Sequence, residues 1–205
     1  GIWFHLDGAQ TTGMFALNVQ ALKCDSYATS GHKWLNGPQG TGFLYIKRDR
    51  VDDVTCSHLG AYSNSAYELP DTFAYRDAAA RHEYGTRNAA DVLGLTVAME
   101  FQEAIGRDRI AKHGKYLVGK TREALRDLPN LEILTPERDD MHASIITFRI
   151  PGREAHEMAG IFKKEHRIRV RPVTELGLEA VRLSWHVYHQ EADIERVVDV
   201  IRTLV

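Results

Sequence analysis

Cysteine is scarce in this chain: Cys24 and Cys56 are the two among 205 residues, and their separation fits neither a disulfide framework nor a zinc-ligand spacing. A reducing, cytoplasmic setting is therefore expected. A basic surplus is missing too. Lys and Arg number 26 against 28 Asp and Glu, a formal net charge of −2, so no nucleic-acid partner is expected. No apolar run approaches the roughly 20 residues that cross a bilayer, so no membrane partner is expected. The first residues do not read as a signal peptide. Internal repeats and low-complexity tracts are absent, and no His/Cys/Asp/Glu cluster suggests a metal. What is present is an ordinary globular composition, 43% hydrophobic and 26% charged. The chain is long enough to bury a sizeable core, as one large domain or two small ones.

The opening run Gly1-Ile2-Trp3-Phe4-His5-Leu6-Asp7 has no Met and reads directly as a buried strand, Ile2 to Leu6, with Trp3 and Phe4 as its core. An upstream portion is expected to be missing or cleaved. Asp7-Gly8 ends that strand as a turn. Asp25 to Thr29 and Gly42 to Lys47 are the next strands, and residues 56 to 80 lack a clean period and read as an irregular excursion. Helical spacing returns from Ala89 to Gly106, with Val92, Leu95 and Met99 on one face. A small α+β domain is expected from about residue 107. Its helices carry Ile110 to Leu128, Ala155 to Phe162 and Ile194 to Ile201. Its strands lie at Ser144 to Phe148, Ile168 to Arg171 and Val181 to Trp185. The expected division is thus 1–106 and 107–205.

The chemistry concentrates in Ser30-Gly31-His32-Lys33-Trp34-Leu35-Asn36-Gly37-Pro38-Gln39-Gly40-Thr41-Gly42. A lysine just past a strand, in a glycine-punctuated loop, sits where α/β folds hold ligands. Covalent use of that lysine requires the neutral amine, because only that form attacks a carbonyl. Most lysines are solvated, and this one alone proves nothing. At the end of the first strand stands Asp7-Gly8-Ala9-Gln10. A carboxylate there can pair with a cationic ring nitrogen, as pyridoxal cofactors require. Taken singly, Asp-Gly is only a turn.

The combination is more specific. Asp7-Gly8-Ala9-Gln10, Ser30-Gly31-His32-Lys33, Gly37-Pro38-Gln39-Gly40-Thr41-Gly42, Glu83-Tyr84-Gly85-Thr86-Arg87-Asn88 and Val181-Arg182-Leu183-Ser184 occur in this order along the chain. Together they resemble the class V aminotransferase family of fold-type I pyridoxal-phosphate enzymes. That family includes cysteine desulfurases, isopenicillin-N epimerase-like proteins, C–S lyases and kynureninase. The resemblance implies an α/β fold: the C-terminal part of a large, mostly parallel-sheet domain with Gly42 to Lys47 antiparallel, followed by a small α+β domain. It implies pyridoxal 5'-phosphate as cofactor. Lys33 would form a Schiff base with the cofactor and act as acid and base at the substrate Cα. Asp7 would keep the pyridine nitrogen protonated, and Gln10 would bond the phenolic oxygen. Ser30 and His32 would contact the phosphate, and Thr86 would reach the phosphate of a neighbouring subunit, implying a homodimer. Arg182 would clamp the α-carboxylate of an amino-acid substrate with a bidentate fork.

Departures from the family sharpen the expectation. Its members are roughly twice as long, and the part that carries a phosphate-binding helix N-terminus and a stacking aromatic lies upstream. Assembly with a separate N-terminal half is therefore the alternative to a plain homodimer. Cysteine desulfurases carry a nucleophilic cysteine between two late strands, but Arg171 to Glu179 has none. Cys24 reads as core. Aminotransferase-like chemistry is favoured, with C–S lyase or epimerase chemistry next, and a non-catalytic remnant acting as an interaction module stays open. Arg167, Arg169 and Arg171 alternate as on one solvated strand face, with Arg171 the best candidate for a role at the site. His186 and His189 read as surface histidines, Trp34 as packing for the loop, and His5 as sharing a strand face with Asp7.

Overall fold

The computed structural model describes residues 1–68 and 70–205. They form two compact units, Gly1–Ile105 and Gly106–Val205. Among the described residues no helix is long and apolar enough to cross a membrane.

In the first unit, β1 (His5–Asp7), α1 (Val19–Leu22), β2 (Ser26–Ser30) and β3 (Gly42–Ile46) come first. The sheet order is β1-β2-β3, with β1 and β2 parallel and β3 antiparallel to β2. From Tyr27 onward β2 alternates as a half-buried strand should: Tyr27 and Thr29 turn into the unit while Ala28 and Ser30 lie on the more open face. The short helix α1 begins because Asn18 Oδ1 accepts from the Gln20 and Ala21 amides, and it ends at Lys23 in the left-handed region, φ 54°.

The opening strand is shorter than its hydrophobicity suggests. Pairing begins at His5, leaving Ile2 96% and Phe4 47% exposed, so the expectation that Phe4 is strand core is corrected. Trp3 is half-buried instead. Its indole N–H donates to Ser26 Oγ at 3.0 Å, and the Arg50 guanidinium lies 5.0 Å over its ring. The stretch expected to be irregular contains a hairpin, β4 (Asn64–Glu68) and β5 (Thr72–Tyr75). Both strands are exposed along most of their length, so no alternation of burial marks them in the sequence. Helix α2 (Ala89–Ile105) forms where its period predicts, yet it buries Leu95, Ala98 and Gln102 rather than Val92 and Met99. The buried stripe includes a glutamine whose amide donates to the Trp34 carbonyl at 2.8 Å. A hydrophobic pattern cannot find a stripe completed by a polar side chain whose partner lies on a distant segment.

The second unit runs α3 (Arg107–Leu125), β6 (Glu132–Ile133), β7 (Ile145–Arg149), α4 (Ala155–His166), β8 (Arg171–Val173), β9 (Ala180–Ser184) and α5 (Glu191–Arg202). Its four-stranded sheet, ordered β6-β7-β9-β8, is antiparallel throughout. Ile146 and Phe148 from β7 and Val181 and Leu183 from β9 meet Leu117, Phe162, Val197 and Ile201 from the helices in one core. Helix α5 starts with a capping box in which Gln190 and Asp193 bond each other's backbone. The two-residue β6 is too short to leave a sequence signal. The strand expected at Ile168 starts only at Arg171, because Arg167 ends α4 in the left-handed region and Ile168 N–H bonds back to Phe162. Arg167 and Arg169 therefore do not share a strand with Arg171. His186, expected at the surface, is only 8% exposed. Ile146 is fully buried at the sheet centre. Ile146→Val is expected to cost about 1 kcal/mol in a denaturant titration.

Candidate active site

In the first unit the parallel pairing sets the geometry. His5 lies opposite Ser26 and Asp7 opposite Ala28, so His5, Asp7, Ser26, Ala28 and Ser30 share one face. His5 Nδ1 and Ser26 Oγ confirm it at 2.7 Å. Asp7 and Ser30 are thus directed to the same side, each at the C-terminal end of its strand, where open α/β sheets bind ligands.

Asp7 is exposed, and its Oδ1 accepts the Ala9 amide at 2.9 Å, turning the chain sharply toward Gln10. The turn is held from beneath. Gly8 N–H bonds the Ala28 carbonyl at 2.7 Å, and its own carbonyl accepts from Thr29 Oγ1 at 3.0 Å. The buried Tyr27 hydroxyl meets Thr11 Oγ1 and Thr12 Oγ1 at 2.6 and 2.7 Å. A Cβ on Gly8 would fall 2.0 Å from Tyr27 Cζ, which is why this position carries no side chain. Gly8→Ala is expected to lower stability by about 1–3 kcal/mol and to disturb the Asp7–Gln10 turn. A thermal melt compared with the parent protein checks it.

The lysine loop is fixed on both sides of Lys33. Gly31 N–H bonds Thr41 O at 2.8 Å and Gly37 N–H bonds Gly31 O at 2.9 Å. A Cβ on Gly31 would meet Thr41 Oγ1 at 2.5 Å and Leu95 Cδ1 at 2.7 Å, so the backbone lies close against α2. Trp34, 4% exposed, packs into the unit as expected. Its indole N–H donates to Gln10 Oε1 at 2.9 Å, and its carbonyl accepts from Gln102. Lys33 itself is half-buried, carried on a backbone that its neighbours immobilise. His32 is exposed, with Nδ1 donating to Thr41 O at 3.3 Å.

The Trp34–Gln10 bond ties the lysine loop to the Asp7 turn. It was not legible in the sequence, where the two segments are simply distant. The bond also sets the polarity of Gln10: its oxygen is occupied, so its NH2 remains to donate to an acceptor such as a phenolate. An amine, a carboxylate, an amide donor, a hydroxyl and an imidazole are thus the groups offered by Lys33, Asp7, Gln10, Ser30 and His32. This donor set fits a cofactor with an aldehyde, a basic ring nitrogen, a phenolic oxygen and a phosphate.

Thr86 is exposed, in a loop where Gly85 N–H bonds Ala61 O at 3.0 Å and Arg87 pairs with Glu83. In the second unit, Arg182 lies on β9 opposite Arg171. Burial lowers the Arg182 pKa from its usual value, with Arg171 pushing the same way and Glu175 opposing. Its Nε is buried without an acceptor. Arg171 itself is exposed and pairs with Glu175 at 3.2 Å. The loop from Thr174 to Glu179 carries no thiol, and its tip is Leu176, 100% exposed. Cys24 is buried; Cys56 is half-buried with Sγ 3.7 Å from His82 Nδ1. Among the described residues no group of His, Cys, Asp and Glu could hold a metal ion.

The family model described as aminotransferase class-V matches residues 1–197. The chain belongs to the class-V aminotransferase family. It is 32% identical over 214 residues to a probable cysteine desulfurase of Pyrococcus abyssi, covering 100% of this chain and 53% of that protein. It is 29% identical over 215 residues to the isopenicillin N epimerase of Streptomyces clavuligerus, with 100% of this chain and 53% of that protein covered. The apo structure of a cysteine desulfurase from Thermococcus onnurineus NA1 superposes with a TM-score of 0.89 at 32% identity, covering 99% of this chain and 52% of that one. The chain therefore spans about half the length of the relatives it matches. Class-V aminotransferases are pyridoxal-phosphate enzymes, and the fold is the fold-type I α/β fold expected from the sequence.

Proposed function

We propose that this chain carries the lysine of a pyridoxal-phosphate enzyme acting at the Cα of an amino acid, with aminotransferase-like chemistry. The observation that carries the reading is the bonded pair of segments: Trp34, next to Lys33, donates to Gln10 of the Asp7 turn. One rigid platform thereby presents an amine, a carboxylate and an amide donor.

When bound, the cofactor supplies an electron sink for the electron pair left as a bond to Cα breaks. The residues supply the rest. Lys33 holds the cofactor through its amine and moves the proton at Cα. Asp7 keeps a proton on the ring nitrogen by charge pairing, and Gln10 Nε2 donates to the phenolic oxygen. Ser30 and His32 bind the phosphate, and Thr86 contacts the phosphate held by a second subunit of a homodimer. Arg182, whose buried Nε lacks an acceptor, forks the substrate α-carboxylate.

Epimerase or C–S lyase chemistry is the second reading. It is favoured by the likeness to isopenicillin N epimerase and uses the same lysine. Persulfide transfer is disfavoured because the Thr174–Glu179 loop carries no cysteine. A panel of amino acids supplied to the complete enzyme with and without a keto-acid acceptor separates these. Product that forms only when the acceptor is present supports transamination. Inverted stereochemistry, or a released fragment without an acceptor, replaces it with the second reading.

A further inference from the structure

The stripe that α2 turns into its unit begins at Leu95 and ends at Gln102, two turns or about 10 Å further along the axis. The lysine loop lies on that stripe. A Cβ on Gly31 or on Gly37 would meet Leu95 Cδ1, at 2.7 and 2.8 Å, so the glycines on either side of Lys33 rest on Leu95. Gln102 holds the residue next to the lysine: its Nε2 donates to the Trp34 carbonyl at 2.8 Å.

That glutamine is badly suited to filling space. It is 3% exposed, and no donor among the described residues reaches its Oε1. A buried amide with one end unmet is unfavourable, where a leucine or methionine leaves no polar atom unmet. The donor end is therefore what the position supplies. Its acceptor needs it, because Trp34 lies in a turn and not in a helix or strand whose own bonding would take the carbonyl.

Trp34 is gripped at two points. Gln102 fixes its carbonyl, and its indole N–H donates to Gln10 Oε1 at 2.9 Å. A peptide plane pinned at its oxygen sets the direction in which the side chain leaves the backbone. Without that bond the buried carbonyl turns to find another donor, and the indole turns with it. The Gln10 amide then loses the contact that tells its two ends apart.

We propose that Gln102 is a positioning residue for the reaction: its bond to the Trp34 carbonyl keeps the indole on Gln10 Oε1, and so keeps the Gln10 NH2 turned toward the phenolic oxygen of the cofactor. The proposal rests on the role given above to Gln10. It adds to the site a buried residue 68 positions beyond Trp34 in the chain.

Gln102→Met in the complete enzyme tests the assignment. Methionine is similar in length and has no donor, and the lost oxygen strands no partner. Without cofactor, the Trp34 indole N–H is followed by NMR in tryptophan-labelled protein and identified by its loss in Trp34→Phe. It is expected to exchange about tenfold faster than in the parent. With cofactor bound, the pH midpoint of its colour change is expected to rise by about one unit, because an N–H donor favours the deprotonated oxygen. kcat is expected to fall about tenfold while KM stays within about twofold. Gln102→Glu is expected to keep the slow indole exchange while its carboxyl is protonated and donates to the Trp34 carbonyl, and to lose it as the carboxylate forms. An indole that exchanges at the parent's rate in Gln102→Met overturns the proposal. Where that variant does not fold, an indole rate in Gln102→Glu that ignores titration of the carboxyl overturns it equally. Gln10→Leu separates the two levels: a colour midpoint unmoved there refutes the role of Gln10, and one that moves there but not in Gln102→Met refutes the role of Gln102 alone.

Discussion

Lys33→Ala is expected to lower turnover of the complete enzyme by about 10⁴-fold or more with every amino acid it accepts. The loss follows from the role proposed for Lys33, holding the cofactor covalently and returning a proton to Cα. The fold is expected to tolerate the change. The backbone there is held by Gly31 with Thr41 and by Trp34 with Gln10 and Gln102, none of which uses the lysine side chain. Thermal stability without cofactor is accordingly expected to stay within about 0.5 kcal/mol of the parent. Single-turnover kinetics with a melting curve separates the two effects. Turnover that survives in a folded variant sinks the role given to Lys33.

Asp7→Asn is expected to lower kcat by about 10²–10³-fold. Asparagine is nearly isosteric, and its side-chain oxygen can still accept the Ala9 amide, so the turn is retained. What disappears is the negative charge proposed to keep the ring nitrogen protonated, and with it most of the electron-sink capacity. The effect should fall on kcat more than on KM, because the group acts on the reacting electrons rather than on substrate capture. A rise in KM at unchanged kcat would assign Asp7 to binding alone.

Much of the candidate site is legible in the sequence because each segment announces itself locally. Asp7-Gly8 is a strand end and turn, and Ser30-Gly31-His32-Lys33 follows a strand whose Tyr27 and Thr29 alternate with smaller residues. The order of these blocks carried the family. What remained hidden depends on contacts between distant segments. The Trp34–Gln10 bond joins residues 24 apart in the chain and leaves no periodic signal. The buried face of α2 is hidden from the sequence because Gln102 completes it, and a glutamine's burial depends on a partner, here the Trp34 carbonyl, that lies far along the chain. The β4–β5 hairpin escaped for the opposite reason: with both faces exposed, nothing forces its residues to alternate. Phe4 is apolar yet exposed because hydrophobicity reports preference for burial, not the presence of a neighbour to provide it. The short β6 and the late start of β8 reflect ladder geometry and a left-handed residue at Arg167, neither encoded in hydropathy.

The most direct measurement is borohydride reduction of the complete, cofactor-loaded enzyme followed by peptide mass analysis. A stable pyridoxyl adduct on the peptide containing Lys33, and its disappearance in Lys33→Ala, is the predicted result. An adduct on a different lysine, or none on a yellow and active protein, would contradict the account.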